Sequence, residues 1–74
     1  MSLMMSGPEW IEAFAQQLGV DPPDEATIET LLAVASSAAH RSERLAAPIA
    51  CYLIGVAGAD PTAALATAEA LGAD

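Results

Sequence analysis

The residues best suited to chemistry lie in one short segment, His40-Arg41-Ser42-Glu43-Arg44. It holds the one histidine and both cationic side chains of a chain that carries ten carboxylates and a net charge of −8. Two guanidinium groups beside an imidazole suit the binding of a phosphate or carboxylate. The segment also suits a helix C-terminus, where cations interact favourably with the macrodipole and Glu43 can pair with an arginine. A third interpretation is docking onto an acidic surface. The candidate ligand- or partner-binding residues are therefore His40, Arg41, Glu43 and Arg44.

Catalysis is a weaker interpretation of the same residues. A general base needs a nucleophile or an orienting carboxylate within hydrogen-bond reach, and only Glu43 is near His40 in the chain. Cys51, the single cysteine, lies among apolar neighbours. A free cysteine in such surroundings is commonly a small buried hydrophobe and lacks the cations that would activate it as a nucleophile. We expect no enzyme activity and no catalytic residue.

Composition argues against several classes of partner. Contact with DNA, RNA or an anionic membrane surface needs clustered Lys and Arg, and this chain has only two such residues. One cysteine rules out an internal disulfide framework and a cysteine-based zinc site. The acidic cluster Asp21, Asp24, Glu25 and Glu29 lacks the spacing and the turn glycine of an EF-hand. We expect a solvated acidic face there, with no metal and no cofactor.

The elements that carry these residues are predicted to be helices. Apolar residues make up 54% of the chain, alanine is abundant, and no alternation typical of strands is present. We expect a compact all-α bundle of four short helices, forming a single domain over residues 8–72. The predicted helices span about 8–18, 24–41, 45–58 and 61–71, with helix three in the centre.

Capping residues and prolines set most of these bounds. Ser6 and Glu9 have the spacing of a capping box. Pro48 is harmless only in the first turn of a helix, which places a break between His40 and Leu45. A single kinked helix in place of helices two and three is the alternative.

Further signals mark the other helix ends. Gly19 suits a left-handed end of helix one, and Asp24 suits the cap of helix two. Asp60 followed by Pro61 is a strong start signal for helix four, and Gly72 is expected to end that helix.

Apolar spacing predicts which faces are buried. Helix three is apolar all round, which indicates a central position. Its bulky side comprises Leu45, Ile49, Tyr52, Leu53 and Val56. Its other side is a ridge of small residues, which is predicted to be a helix-packing or dimer seam: Ala47, Cys51, Gly55 and Ala59. The corresponding faces are Trp10, Ile11, Phe14 and Leu18 in helix one, and Ile28, Leu31, Leu32, Ala35 and Ala39 in helix two. The aromatic residues Trp10, Phe14 and Tyr52 are expected to anchor the core.

The N-terminal segment and the longest apolar run bear on localisation. Residues 1–7 contain no basic residue and no signal-peptide core. They are interpreted as an expression scar and a disordered N-terminus. The longest apolar stretch, Leu45 to Ala59, is shorter than the roughly 20 residues of a membrane-spanning helix. A soluble cytoplasmic protein is expected. At this size burial and chain entropy nearly cancel, so a partner that covers more apolar surface would stabilise the fold.

The chain also resembles a known family. The resemblance rests on Trp10, the run Leu18-Gly19-Val20-Asp21-Pro22, and a pattern that runs Ala39-His40, Glu43-Arg44, Ala47-Pro48-Ile49, Leu53 and Gly55. The distinctive part is the spacing of His40, Glu43-Arg44 and Ala47-Pro48. Over about residues 9–58 these positions are similar to a small helical family of unknown function from high-GC Gram-positive bacteria. Members stand alone, or are fused to or encoded beside a molybdenum-cofactor guanylyltransferase, which makes molybdopterin-guanine dinucleotide.

The resemblance implies an accessory role, because the Gly-rich phosphate loop of the transferase is absent from this sequence. The leading hypothesis is therefore a non-enzymatic interaction module that forms a homodimer or binds a guanylyltransferase-type protein. The alternative is a small module that binds a nucleotide or pterin phosphate through His40, Arg41 and Arg44.

Overall fold

The computed structural model describes residues 5–71, and each regular element within that range is an α-helix. The four helices are α1 (Gly7–Leu18), α2 (Glu25–Arg41), α3 (Ala46–Ala57) and α4 (Pro61–Ala70). The predicted all-α bundle of four short helices is confirmed. Every observed helix bound lies within one residue of its predicted position.

The N-terminus of α1 has the predicted capping box. The Ser6 hydroxyl accepts a hydrogen bond from the Glu9 backbone N–H at 3.2 Å, and the Glu9 carboxylate accepts one from the Ser6 N–H at 2.9 Å. Ser6 and Gly7 therefore belong to the start of α1. The first four residues of the predicted scar lie outside the described residues. At the other end of α1, Gly19 has the left-handed conformation that favours glycine, with φ 77° and ψ 29°.

Aspartates cap two further helices. The Asp24 carboxylate accepts a hydrogen bond from the Thr27 N–H at 2.8 Å, and the Asp60 carboxylate accepts one from the Ala63 N–H at 3.0 Å. Each satisfies a backbone donor that the first turn leaves free. The predicted end of α4 at Gly72 lies outside the described residues, and the helix is followed by Leu71 in extended conformation.

Helices α2 and α3 are separate. Ser42 leaves the helical conformation, with φ −144° and ψ −104°, and α3 begins at Ala46. Pro48 therefore lies in the first turn of α3, where its missing N–H leaves no intrahelical bond unmade. The alternative of one kinked helix is wrong.

The central helix is α2, because α3 and α4 both pack against it. The predicted central position of helix three is therefore corrected. Val34 of α2 is only 2% exposed, whereas α3 has no buried residue. Val34 was not in the predicted stripe, while Leu32, which was, is 63% exposed. The other members of that stripe, Ile28, Leu31, Ala35 and Ala39, are partly buried, so the prediction was wrong at Leu32 and missed Val34.

The molecule is elongated, with principal extents of 48 × 28 × 19 Å and a radius of gyration of 13.6 Å. Ala15 in α1 is the other buried residue in the described part of the chain. None of the helices described is long and apolar enough to cross a membrane.

Candidate functional site

The predicted binding segment lies where α2 ends. His40 and Arg41 occupy the last turn of α2, and Glu43 and Arg44 lie in the connection to α3. All four side chains are exposed. Cations in this last turn complement the negative end of the helix macrodipole, which agrees with the structural interpretation of the segment and leaves the binding interpretation open.

Two serines hold the side chains of the last turn, and the sequence reasoning missed both. His40 Nδ1 lies 3.3 Å from the Ser36 hydroxyl, and Arg41 Nε donates a hydrogen bond to the Ser37 hydroxyl at 3.1 Å. The partner of the imidazole is thus a serine four residues earlier, and not Glu43. The spacing of four residues along one helix was the available signal, because such positions are neighbours on the helix surface.

These residues line a shallow cleft of about 490 Å³ between α2 and α4. The α2 side contributes Ser36, Ser37, His40 and Arg41, and α4 contributes Glu69. Arg44 and Glu43 are not part of the lining. The structure therefore brings together two of the predicted anion-binding residues and adds a carboxylate, which opposes an anion at the same place.

The inner face of α3 is built from three small residues and one isoleucine. Ala47, Ala50, Cys51 and Ile54 are partly buried, and α3 packs against α2. The Cys51 thiol lies 3.8 Å from the Leu31 carbonyl oxygen, within range of a weak S–H donor. Of the predicted seam, Ala47 and Cys51 are half-buried, whereas Gly55 and Ala59 are exposed. The first half of the seam therefore serves the contact between α3 and α2.

The opposite face of α3 carries its large apolar residues, and they are uncovered. The exposed fractions are 67% for Leu45, 51% for Ile49, 67% for Tyr52, 56% for Leu53 and 65% for Val56. The expectation that Tyr52 anchors the core is wrong. No charged residue occurs within α3, so this face has no charge of its own.

The uncovered surface continues onto α4. A groove of about 440 Å³ is lined by Leu45, Ile49 and Leu53 of α3 together with Ala68 and Leu71, and Arg41 also contributes to its lining. Leu71 is 74% exposed. We call the residues Leu45, Ile49, Tyr52, Leu53, Val56 and Leu71 the outer α3 surface.

A second apolar surface lies on α1. Trp10 and Phe14 stack with ring centroids 4.8 Å apart and remain 54% and 48% exposed. Together with Met5 they line a small hollow of about 200 Å³. The expectation that these two aromatic residues anchor the core is therefore also wrong. They stack on each other with about half of each side chain exposed, and Leu18 farther along α1 is 61% exposed.

The acidic residues at the start of α2 are exposed. Hydrogen bonds from Thr27 lower the pKa of Asp24 below its usual value, because they favour the charged carboxylate. Within residues 5–71 no three His, Cys, Asp or Glu side chains lie close enough to hold a metal ion.

Comparison with known proteins places the chain in a family. No curated protein matches it, and no solved structure does. A family model described as Domain of unknown function (DUF6457) matches residues 4–73, which is nearly the whole chain. The protein therefore belongs to the DUF6457 family.

Proposed function

We propose that this chain is a non-enzymatic interaction module that works by presenting an apolar surface to another protein. The outer α3 surface is the observation that supports the proposal. Its six large apolar side chains are each between 51% and 74% exposed. Contiguous apolar patches on small proteins mark interaction sites, whereas isolated exposed residues do not.

The character of α3 strengthens the argument. A helix that is apolar on all sides normally lies in an interior, yet α3 packs against α2 with one face only partly buried, which carries Ala47, Ala50, Cys51 and Ile54. Apart from Ile54, the larger side chains, whose burial would contribute most of the hydrophobic stabilisation, are at least half exposed. A protein surface that covered them would remove this apolar area from water.

We further propose that the process is molybdenum-cofactor maturation, with a guanylyltransferase-type protein as a partner. The support is the resemblance of the pattern around His40, Glu43-Arg44 and Ala47-Pro48 to a family found beside that enzyme. Every regular element in the described part of the chain is an α-helix, which fits an accessory role.

Light scattering on the chain, alone and mixed with a molybdenum-cofactor guanylyltransferase, tests the proposal. A complex with the summed mass is expected, together with its loss when Ile49→Asp charges the outer α3 surface. Leu32→Asp is the matched control, because Leu32 is 63% exposed on α2 and lies outside that surface. No complex at micromolar concentration, with a chain that stays strictly monomeric, would count against an interaction module.

A second candidate function is binding of a small anion. It is favoured by the cleft in which Arg41, His40, Ser36 and Ser37 meet. Thermal unfolding with GTP and with pyrophosphate tests it, because a ligand of the native state raises stability by RT ln(1 + [L]/Kd). Binding in the cleft predicts a rise in Tm that Arg41→Ala removes and Glu69→Gln increases, while Arg44→Ala, outside the lining, leaves it unchanged. No shift at millimolar ligand would discard this function.

A further inference from the structure

We propose that two copies of this chain pair through α3, antiparallel and about a two-fold axis, so that each outer α3 surface covers the other. The proposal rests on the proposed function, because it assigns a partner to the same surface. A second copy of the chain is proposed as the partner because the outer α3 surface is complementary to itself in residue spacing, charge and area.

The outer residues of α3 have the spacing of a helix-pairing stripe, which is separate from the small-residue seam of the inner face. Leu45, Ile49, Tyr52 and Val56 follow one another at intervals of four, three and four residues. This is the heptad spacing with which apolar residues of one helix fit between those of another. All four are at least half exposed. Each chain therefore carries the whole helix-pairing stripe, and what it lacks is a facing helix.

The helix-pairing stripe is complementary to a second copy of itself that runs in the opposite direction. If two α3 helices run antiparallel, Leu45 lies opposite Val56 of the second copy when Ile49 lies opposite its Tyr52, and the two remaining pairs repeat these by symmetry. Every residue of the helix-pairing stripe then meets an apolar residue. A two-fold interface needs such a self-complementary surface. Antiparallel α3 helices also bring the positive end of each macrodipole beside the negative end of the other.

Charge selects the same arrangement. Two chains that each carry a net charge of −8 repel each other over most of their surface, whereas α3 is uncharged. Arg41 lines the groove before the N-terminus of α3, and Asp60 follows its C-terminus. An antiparallel pair brings the end of α3 near Arg41 in one copy beside the end that Asp60 follows in the second copy. A parallel pair would place Arg41 beside Arg41.

The available area is sufficient for a specific dimer. The six side chains of the outer α3 surface are at least half uncovered, which offers on the order of 500 Å² per chain and about 1,000 Å² for two chains. Specific interfaces begin at about 1,000 Å² in total. An interface at this lower limit predicts a dimer that dissociates on dilution.

Analytical ultracentrifugation over a wide range of concentration tests the pairing. We expect a monomer–dimer equilibrium whose dissociation constant rises at least 100-fold in Ile49→Asp and changes less than about threefold in Leu32→Asp. Helical circular dichroism of both variants shows whether they fold. A monomer at millimolar concentration, or equal weakening by the two folded variants, would overturn the proposal.

Disulfide trapping tests the direction of the helices. In a Cys51→Ala background, Leu45→Cys and Val56→Cys are made as separate variants. The antiparallel register predicts that oxidation cross-links the two variants when they are mixed, and that neither forms a disulfide with itself. Self-linking of Leu45→Cys without mixed cross-links would show a parallel pair and overturn the register.

The outcomes separate this proposal from the broader one. A chain that stays monomeric but binds the guanylyltransferase through the outer α3 surface refutes the dimer and leaves the interaction module standing. A dimer that binds no transferase supports the pairing and removes the proposed molybdenum-cofactor partner. A folded chain for which Ile49→Asp changes neither self-association nor partner binding refutes both.

Discussion

The two faces of α3 differ in the size of their side chains and in how far those side chains are covered. The inner face has three small residues and one isoleucine, Ala47, Ala50, Cys51 and Ile54, which are partly buried where α3 packs against α2. The outer face has leucine, isoleucine, tyrosine and valine, which are more than half exposed. In a helix that served only its own fold, the larger side chains would be the ones to bury, because they remove more apolar area from water.

The two faces of α3 therefore contribute different things. The inner face allows two helix backbones to approach closely, and the outer face offers apolar area for burial. Small side chains let the backbones of α2 and α3 come close, as the contact between the Cys51 thiol and the Leu31 carbonyl illustrates. The large side chains are left for an external surface. On this basis the stability of the monomer should depend on the inner face and self-association on the outer one.

The largest effect is expected at Val34, the only side chain in the described region that is fully buried. Val34→Asp places a carboxylate without a partner in the centre of the bundle, which costs several kcal/mol. A small domain has little stability to lose, so this variant should be unfolded by circular dichroism. Val34→Ala should remain folded and lose about 2–3 kcal/mol in urea unfolding. A folded Val34→Asp variant would contradict a core centred on α2.

An intermediate effect is expected from enlarging a residue of the inner face. Cys51→Leu adds carbon atoms beside the Leu31 backbone and should cost about 1–3 kcal/mol through overpacking. Leu53→Ala is the matched change on the outer face. It should alter the stability of the dilute monomer by no more than about 0.5 kcal/mol while weakening self-association. Equal losses of stability in the two variants would erase the distinction between the faces.

Two glycines of α3 sharpen the comparison further. Gly55 lies in the helix, and a Cβ there would meet nothing within 4 Å. Gly55→Ala should therefore stabilise the monomer by roughly 0.5–1 kcal/mol. Gly58 ends α3 with φ 64°, so Gly58→Ala should destabilise by about 1 kcal/mol. Loss of stability in Gly55→Ala would show that the small-residue seam continues past Cys51.

The helices themselves were predictable from the sequence because their ends depend on local chemistry. Ser6, Asp24 and Asp60 each cap a backbone donor three residues away, and Pro48 is compatible with only one position in a helix. These effects act within one turn, so they are legible in a single sequence.

The packing was not predictable in the same way. The buried stripe of α2 contains Val34 and omits Leu32, because alanine occurs on all sides of this helix and carries no directional information. The outer α3 residues were expected inside, since apolar character predicts burial without specifying which molecule provides it. Ser36 and Ser37 were missed because hydroxyl groups are common on helices and most have no partner of consequence.

The smallest effect is expected in the pH dependence of stability at Asp24, the cap of α2. The inner face of α3 packs against this helix. The pKa of Asp24 is lowered by its hydrogen bonds to Thr27, so the folded state binds this proton less readily than the unfolded state does. The stabilisation is therefore complete above the unfolded pKa and is lost as the pH falls through the lower folded value. Asp24→Asn keeps a capping side chain but cannot titrate. Urea unfolding between pH 6 and pH 3 should show a stability difference between wild type and variant that shrinks below about pH 4. Asp24 is not one of the residues of the outer α3 surface, so the dissociation constant of the dimer should be the same in Asp24→Asn and wild type at neutral pH.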